Sequence, residues 1–109
     1  MAMLHAQSGQ PIDIHPLHDD LQNARSVALF KTNELEVIRL VLAAGKSFPT
    51  HRVPGEVTIQ CIDGKVEVTC EGTSQILHCG QLLYLSGGVQ HSVVGLEDAC
   101  VLLTVVLRK

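Results

Sequence analysis

Apolar and polar residues alternate with a period of two through most of the chain. In EVTIQCI, for example, Val57, Ile59 and Cys61 alternate with polar residues. Such alternation is typical of strands that turn one face to the core. Seven or eight short segments of this character are separated by turn residues, and they are SVALFK, LEVIRLVL, EVTIQCI, KVEVTC, SQILH, QLLYL, HSVVG and ACVLLTVVL. Short strands at this spacing predict an all-β sandwich or barrel.

Helical periodicity is confined to the N-terminal part of the chain. In HPLHDDLQNARSV, Leu17 and Leu21 are four residues apart and predict a short turn of helix. We therefore expect residues 1–25 to form an N-terminal tail and short arm, and residues 26–109 to form a single β-barrel domain.

The segments EVTIQCI and KVEVTC are joined by Asp63 and Gly64, which predict a two-residue hairpin because both turn positions favour a positive φ. In that register Ile62 lies opposite Lys65. Alternation puts two sets of side chains on opposite faces. The apolar set is expected to face the core and consists of Val57, Ile59, Cys61, Val66, Val68 and Cys70. The set on the opposite face consists of Glu56, Thr58, Gln60, Glu67 and Thr69.

The last segment, ACVLLTVVL, is apolar without alternation. A continuous apolar run is typical of a strand that is covered on both faces. The cover is either a second sheet or a partner subunit, and we expect a homodimer.

Composition and charge narrow the function classes. The chain has 109 residues and a mass of 11.8 kDa. Of these residues 46% are apolar and 17% are charged, the net charge is −3 and the pI is near 6.0. That charge, with no Trp and one Tyr, argues against nucleic-acid binding. No apolar run reaches the roughly 18 residues of a membrane span, and the N-terminus lacks the pattern of a secretory signal. We therefore expect no membrane association, a cytoplasmic location and reduced cysteines.

Glycines and histidines recur in two spaced motifs. Gly45 is followed by His51 and Gly64, and Gly80 is followed by Gly88 and His91. This pattern resembles the two motifs of the cupin superfamily, G-x5-H-x-H-x3-4-E-x6-G and G-x5-P-x-G-x2-H-x3-N. The departures from it are Val53 for the second histidine, Ser86 for the proline and Gly95 for the asparagine. The resemblance implies a conical double-stranded β-helix (jelly-roll) barrel, usually dimeric, with a ligand or metal site inside.

The resemblance also implies candidate site residues. Family sites hold a divalent metal through three histidines and one glutamate, of which only His51 and His91 match here. The nearest glutamate, Glu56, has strand parity opposite to Val57, which favours solvent exposure. A bulge in VPG would shift that parity and turn Glu56 inward. The candidate metal ligands are therefore His51, His91 and Glu56, with Fe, Mn, Zn or Ni as the implied metal.

Three hypotheses for function follow. In the first, the barrel binds a small, partly apolar molecule, with a weakly held divalent metal as an optional addition. The pocket is then formed by His51, Val53, Val57, Ile59 and His91. In the second, the protein is a metal-dependent oxygenase or isomerase with a two-histidine-one-carboxylate site. In the third, it is a non-catalytic interaction or structural dimer.

Overall fold

The computed structural model describes residues 5–107, except for the side chain of Gln22. The first four residues of the predicted arm and the last two of the predicted domain lie outside the described residues. The regular elements in this range are a 3-10 helix (His18–Asn23) and strands β1 (Val27–Lys31), β2 (Leu35–Leu42), β3 (Ser47–His51), β4 (Val57–Asp63), β5 (Lys65–Cys70), β6 (Thr73–His78), β7 (Leu82–Leu85), β8 (His91–Gly95) and β9 (Ala99–Val106). The predicted all-β class is confirmed. Within residues 5–107 no helix is long or apolar enough to cross a membrane.

Two antiparallel sheets face each other across one core. The five-stranded sheet has the order β1-β2-β9-β4-β7, and the four-stranded sheet has the order β3-β8-β5-β6. The core is built from side chains that alternate inward from both sheets. Ile59, Cys61, Val66 and Val101 are each fully buried there.

Strand β3 was not predicted from the sequence. Its segment SFPTH contains Pro49, which cannot donate to a sheet ladder and hides the alternating pattern. The structure accommodates Pro49 because β3 is an edge strand, with β8 as its one neighbour in the sheet. The β3–β8 register is also irregular between Phe48 and His51.

The predicted hairpin between β4 and β5 is wrong. β4 pairs with β7 and β9, whereas β5 pairs with β6 and β8, so the chain changes sheets at Asp63 and Gly64. Gly64 has a φ of +74°, and a Cβ there would lie 2.2 Å from the carbonyl oxygen of Asp98. The glycine thus serves a close backbone approach at a corner rather than a two-residue hairpin.

A two-residue hairpin does occur eight residues further along the chain. Glu71 and Gly72, with φ of +50° and +81°, join β5 to β6. The predicted face assignment nevertheless agrees with the burial of β4 and β5, where Val57 and Val68 are buried and Glu56 is exposed. Strands in two facing sheets turn the same alternating set to the core as strands in one sheet do.

The N-terminal segment lies along the five-stranded sheet. The backbone N–H of Ala6 donates to the carbonyl of Leu29 at 2.9 Å, and the Arg39 guanidinium donates to the carbonyl of Asp13 at 2.7 Å. The predicted turn of helix follows, and the N–H of His18 donates to the Asp63 carboxylate at 2.7 Å. These contacts hold the segment against β1, β2 and the end of β4.

Candidate functional site

The structure brings His51 and His91 together. His51 ends β3 and His91 begins β8, and the two residues are directly opposite each other in the register of these strands. Their ring centroids are 4.3 Å apart, with 59° between the ring planes. Forty residues separate them along the chain, and the β3–β8 ladder closes that gap.

Each imidazole is held by a backbone carbonyl two residues earlier. Nδ1 of His51 lies 3.2 Å from the Pro49 carbonyl oxygen, and Nδ1 of His91 lies 3.1 Å from the Val89 carbonyl oxygen. A carbonyl oxygen only accepts, so Nδ1 carries the proton in both rings. Nε2 of each ring is therefore left as a lone-pair acceptor.

His91 is the more deeply buried of the pair, with 2% of its surface exposed. Burial lowers the pKa of His91, and the neighbouring His51 lowers it further, while the hydrogen bond to the Val89 carbonyl acts in the opposite direction. His91 is therefore neutral near pH 7. The Phe48 ring also packs against His51, edge-on, with centroids 4.7 Å apart.

A cavity of about 280 Å³ lies next to His51, between the two sheets. Its wall is largely apolar, and the lining residues are Glu36, Ile38, Phe48, His51, Val53, Pro54, Leu103, Val105, Val106 and Leu107. Of the five predicted pocket residues, His51 and Val53 line this cavity, whereas His91 is not among its lining residues. Val57 and Ile59 are instead sealed in the core, with 3% and 0% exposure, because β4 is flanked by β7 and β9 and its inward side chains pack under the facing sheet.

The structure does not bring Glu56 to the two histidines. Its carboxylate accepts a hydrogen bond from the Tyr84 hydroxyl at 2.8 Å, and Glu56 lines a different hollow with Tyr84 and Thr104. Glu56 keeps the outward parity opposite to buried Val57, so the inward-turning bulge that a metal role required is absent.

The donor set therefore does not fit the four-ligand metal site of the family. Among residues 5–107, no three His, Cys, Asp or Glu side chains are close enough to share a metal ion. Val53 offers no lone pair where a second histidine would stand in the first motif. Two imidazoles alone fall short of the three or four protein ligands of stable metal sites.

A carboxylate that sequence reasoning missed lines the cavity. Glu36, near the start of β2, shares its strand parity with Ile38, Leu40 and Leu42, which turn towards the core. The signal was present in LEVIRLVL, where Glu36 lies on the same alternating face as these three residues. Because that strand is apolar on both faces, parity alone could not say which set points inward.

Two loops meet at the mouth of the cavity. The N–H of Gly88 donates to the carbonyl of Val53 at 2.9 Å, and a Cβ on Gly87 would lie 2.3 Å from the carbonyl oxygen of Pro54. Val53 and Pro54 both line the cavity. Glycine at position 87 thus lets the second motif pack directly against the cavity wall.

Three larger hollows among the described residues lie outside the barrel. Two of them, of about 480 and 350 Å³, are bounded by the N-terminal segment together with Leu29 and with Phe30, respectively. The third, of about 650 Å³, is a polar surface depression near Asp63 and Cys79. None of the three is lined by His51 or His91, so we take the smaller cavity beside His51 as the candidate site.

Comparison with solved structures supports the fold. A conserved Streptococcus pyogenes protein of unknown function matches with a TM-score of 0.76 at 18% identity, covering 100% of this chain and 96% of that one. A cupin superfamily protein from Desulfitobacterium hafniense matches with a TM-score of 0.78 at 15% identity, covering 99% and 100%. KdgF from Halomonas sp. matches with a TM-score of 0.68 at 22% identity, covering 77% and 80%.

Sequence comparison identifies the family. No curated protein matches the chain. The family model for the Cupin domain matches residues 38–106, which include both histidine motifs and run from within β2 to the end of β9. The chain belongs to the cupin superfamily.

Proposed function

We propose that this cupin binds a small, largely apolar molecule in the cavity beside His51. The observation that best supports this proposal is a largely apolar wall that includes one imidazole, His51, whose Nδ1 is bonded to the Pro49 carbonyl and whose Nε2 has no hydrogen-bond partner among the described residues. Ligand sites are typically apolar with a few placed polar groups, and drug-sized ligands occupy roughly 300–1,000 Å³. A cavity of about 280 Å³ suits a molecule at or below the lower end of that range.

A thermal-shift screen of small molecules tests this proposal, since a ligand that prefers the folded state raises the unfolding midpoint. We expect hits whose effect is lost in a His51→Ala variant and kept in His78→Ala, a control at an exposed position on β6. If no compound stabilises the wild type, or if hits act equally on the His51→Ala variant, the proposal fails.

We further propose that two copies of the chain pair through the outer face of the five-stranded sheet. Leu82 and Tyr84 on β7 point away from the core and are 62% and 58% exposed, and Leu35 on β2 shares that face at 37%. Large apolar side chains grouped on one face are typical of protein interfaces.

Light scattering coupled to gel filtration tests the pairing. We expect a mass of two chains for the wild type and of one chain for a Leu82→Glu, Tyr84→Glu double variant. Ile76→Glu is the control, because Ile76 is 48% exposed on the other sheet. A monomeric wild type, or equal dissociation of the control, would contradict the proposal.

A further inference from the structure

The polar side chains that line the cavity belong to His51 and Glu36, and both can act as hydrogen-bond acceptors. The His51 ring donates through Nδ1 to the Pro49 carbonyl, so Nε2 is the acceptor of the neutral ring. The second group is the carboxylate of Glu36, which only accepts when ionised. The remaining lining side chains are apolar, and Pro54 has no backbone N–H to donate.

His91, beside His51, extends the same pattern. Its Nδ1 is likewise bonded to a carbonyl, which leaves Nε2 as an acceptor. The His91 ring packs at a tilt against His51, with centroids 4.3 Å apart, and is almost fully buried. It is not among the lining residues, so it adds no cation to the cavity wall.

Glu36 has no cationic partner within reach among the described residues. The salt bridges in residues 5–107 join Asp13 with His15 and Lys65 with Glu97. Lys31 is the Cα partner of Glu36 on β1, but it is exposed and not within 4.0 Å of the carboxylate. The negative charge at the cavity is therefore available to a ligand.

We propose that the cavity selects a small apolar amine, with the ammonium group at Glu36 and the hydrocarbon body against Ile38, Leu103 and Val105. This inference rests on the proposed binding function and specifies its ligand class. An ammonium group supplies donors only, which matches the two acceptor side chains of the wall, and its charge-assisted hydrogen bond to a carboxylate is stronger than a neutral one. A carboxylate ligand of the same shape would meet Glu36 with like charge.

The test is a matched series of three probes with the same ring: benzylamine, benzyl alcohol and benzoate. Dissociation constants are measured by calorimetry at pH 7.5 in low salt. We expect benzylamine to bind tightest and benzoate not to bind. In Glu36→Gln we expect benzylamine to bind roughly tenfold more weakly, close to benzyl alcohol. Glu67→Gln, which removes the same charge on the outer face of β5, should leave all three constants unchanged.

A second variant keeps the test independent of any loss of folding in Glu36→Gln. Lys31→Met removes the cation opposite Glu36 and should tighten benzylamine binding without affecting benzyl alcohol. The inference is overturned if benzoate binds as well as benzylamine, if benzylamine does not bind, or if neither variant changes its affinity. A His51-dependent response to benzyl alcohol or benzoate in those cases would overturn the ligand class and leave the proposed function standing.

Discussion

Replacing Gly64 with alanine tests the corner that sends the chain from one sheet to the other. Two separate costs apply at this position. The φ of +74° is strained for any residue with a side chain, and an added Cβ would lie 2.2 Å from the carbonyl oxygen of Asp98 and 2.9 Å from the Cα of Ala99. Both neighbours are backbone atoms, so relief requires the β8–β9 loop to move.

Gly72 provides the matched control. Its φ is +81°, similar to that of Gly64, but nothing lies within 4 Å of a Cβ placed there. Gly72→Ala therefore carries the conformational cost alone, about 1 kcal/mol. Gly64→Ala adds the steric cost of displacing packed backbone, about 2 kcal/mol more.

These free-energy costs can be measured as shifts of the thermal unfolding midpoint, which circular dichroism detects. An unfolding entropy of about 2.1 cal/mol/K per residue gives a shift of about 4 °C per kcal/mol for a chain of this length. We expect Gly72→Ala to lower the midpoint by about 4 °C and Gly64→Ala by about 13 °C. Equal losses in the two variants would refute the close approach at the corner and, with it, the assignment of β4 and β5 to different sheets.

Three further predictions concern the pH dependence of stability, the metal content and the reactivity of the cysteines. The fold lowers the pKa of His91 from 6.5, so the unfolded chain binds more protons than the folded one just below that value, and the free energy of unfolding should fall as the pH drops below about 6.5. In a His91→Asn variant, urea unfolding should show a weaker dependence of stability on pH. An unchanged pH dependence would contradict this prediction. Elemental analysis of protein purified without a metal column should find well below one metal per chain, and a full equivalent lost in His51→Ala would contradict the incomplete ligand set. A thiol reagent should label exposed Cys79 in the native protein. Cys61 and Cys100 should react slowly, because burial raises the pKa of Cys61 to about 11 and also raises that of Cys100. Rapid labelling of either buried thiol in the native protein would count against the core described above.

The inward face of the barrel could be predicted from alternation, but the strand partners could not. Alternation reports which side chains turn to the core, and Val57 and Val68 are buried as expected. The turn at Asp63 and Gly64 was assigned by local residue preference, which does not distinguish a hairpin from a corner between sheets. The deciding contact is with Asp98, more than thirty residues away.

The paired histidines could be predicted because two motifs fix their positions in a known fold. The carboxylate of the cavity could not be predicted by the same route. Motif spacing directed attention to Glu56, whose hydroxyl partner Tyr84 lies on the outer face. Glu36 lies outside both motifs, and its inward direction depends on β2 pairing with β9, which is a contact distant in sequence.

A crystal structure of the protein soaked with benzylamine tests the central claim most directly. We predict density for the ring between Ile38 and Leu103, with the His51 and His91 rings still in contact and the amine nitrogen at the Glu36 carboxylate. Density instead in the hollow beside Leu29, or histidine rings that point away from each other, would contradict the account.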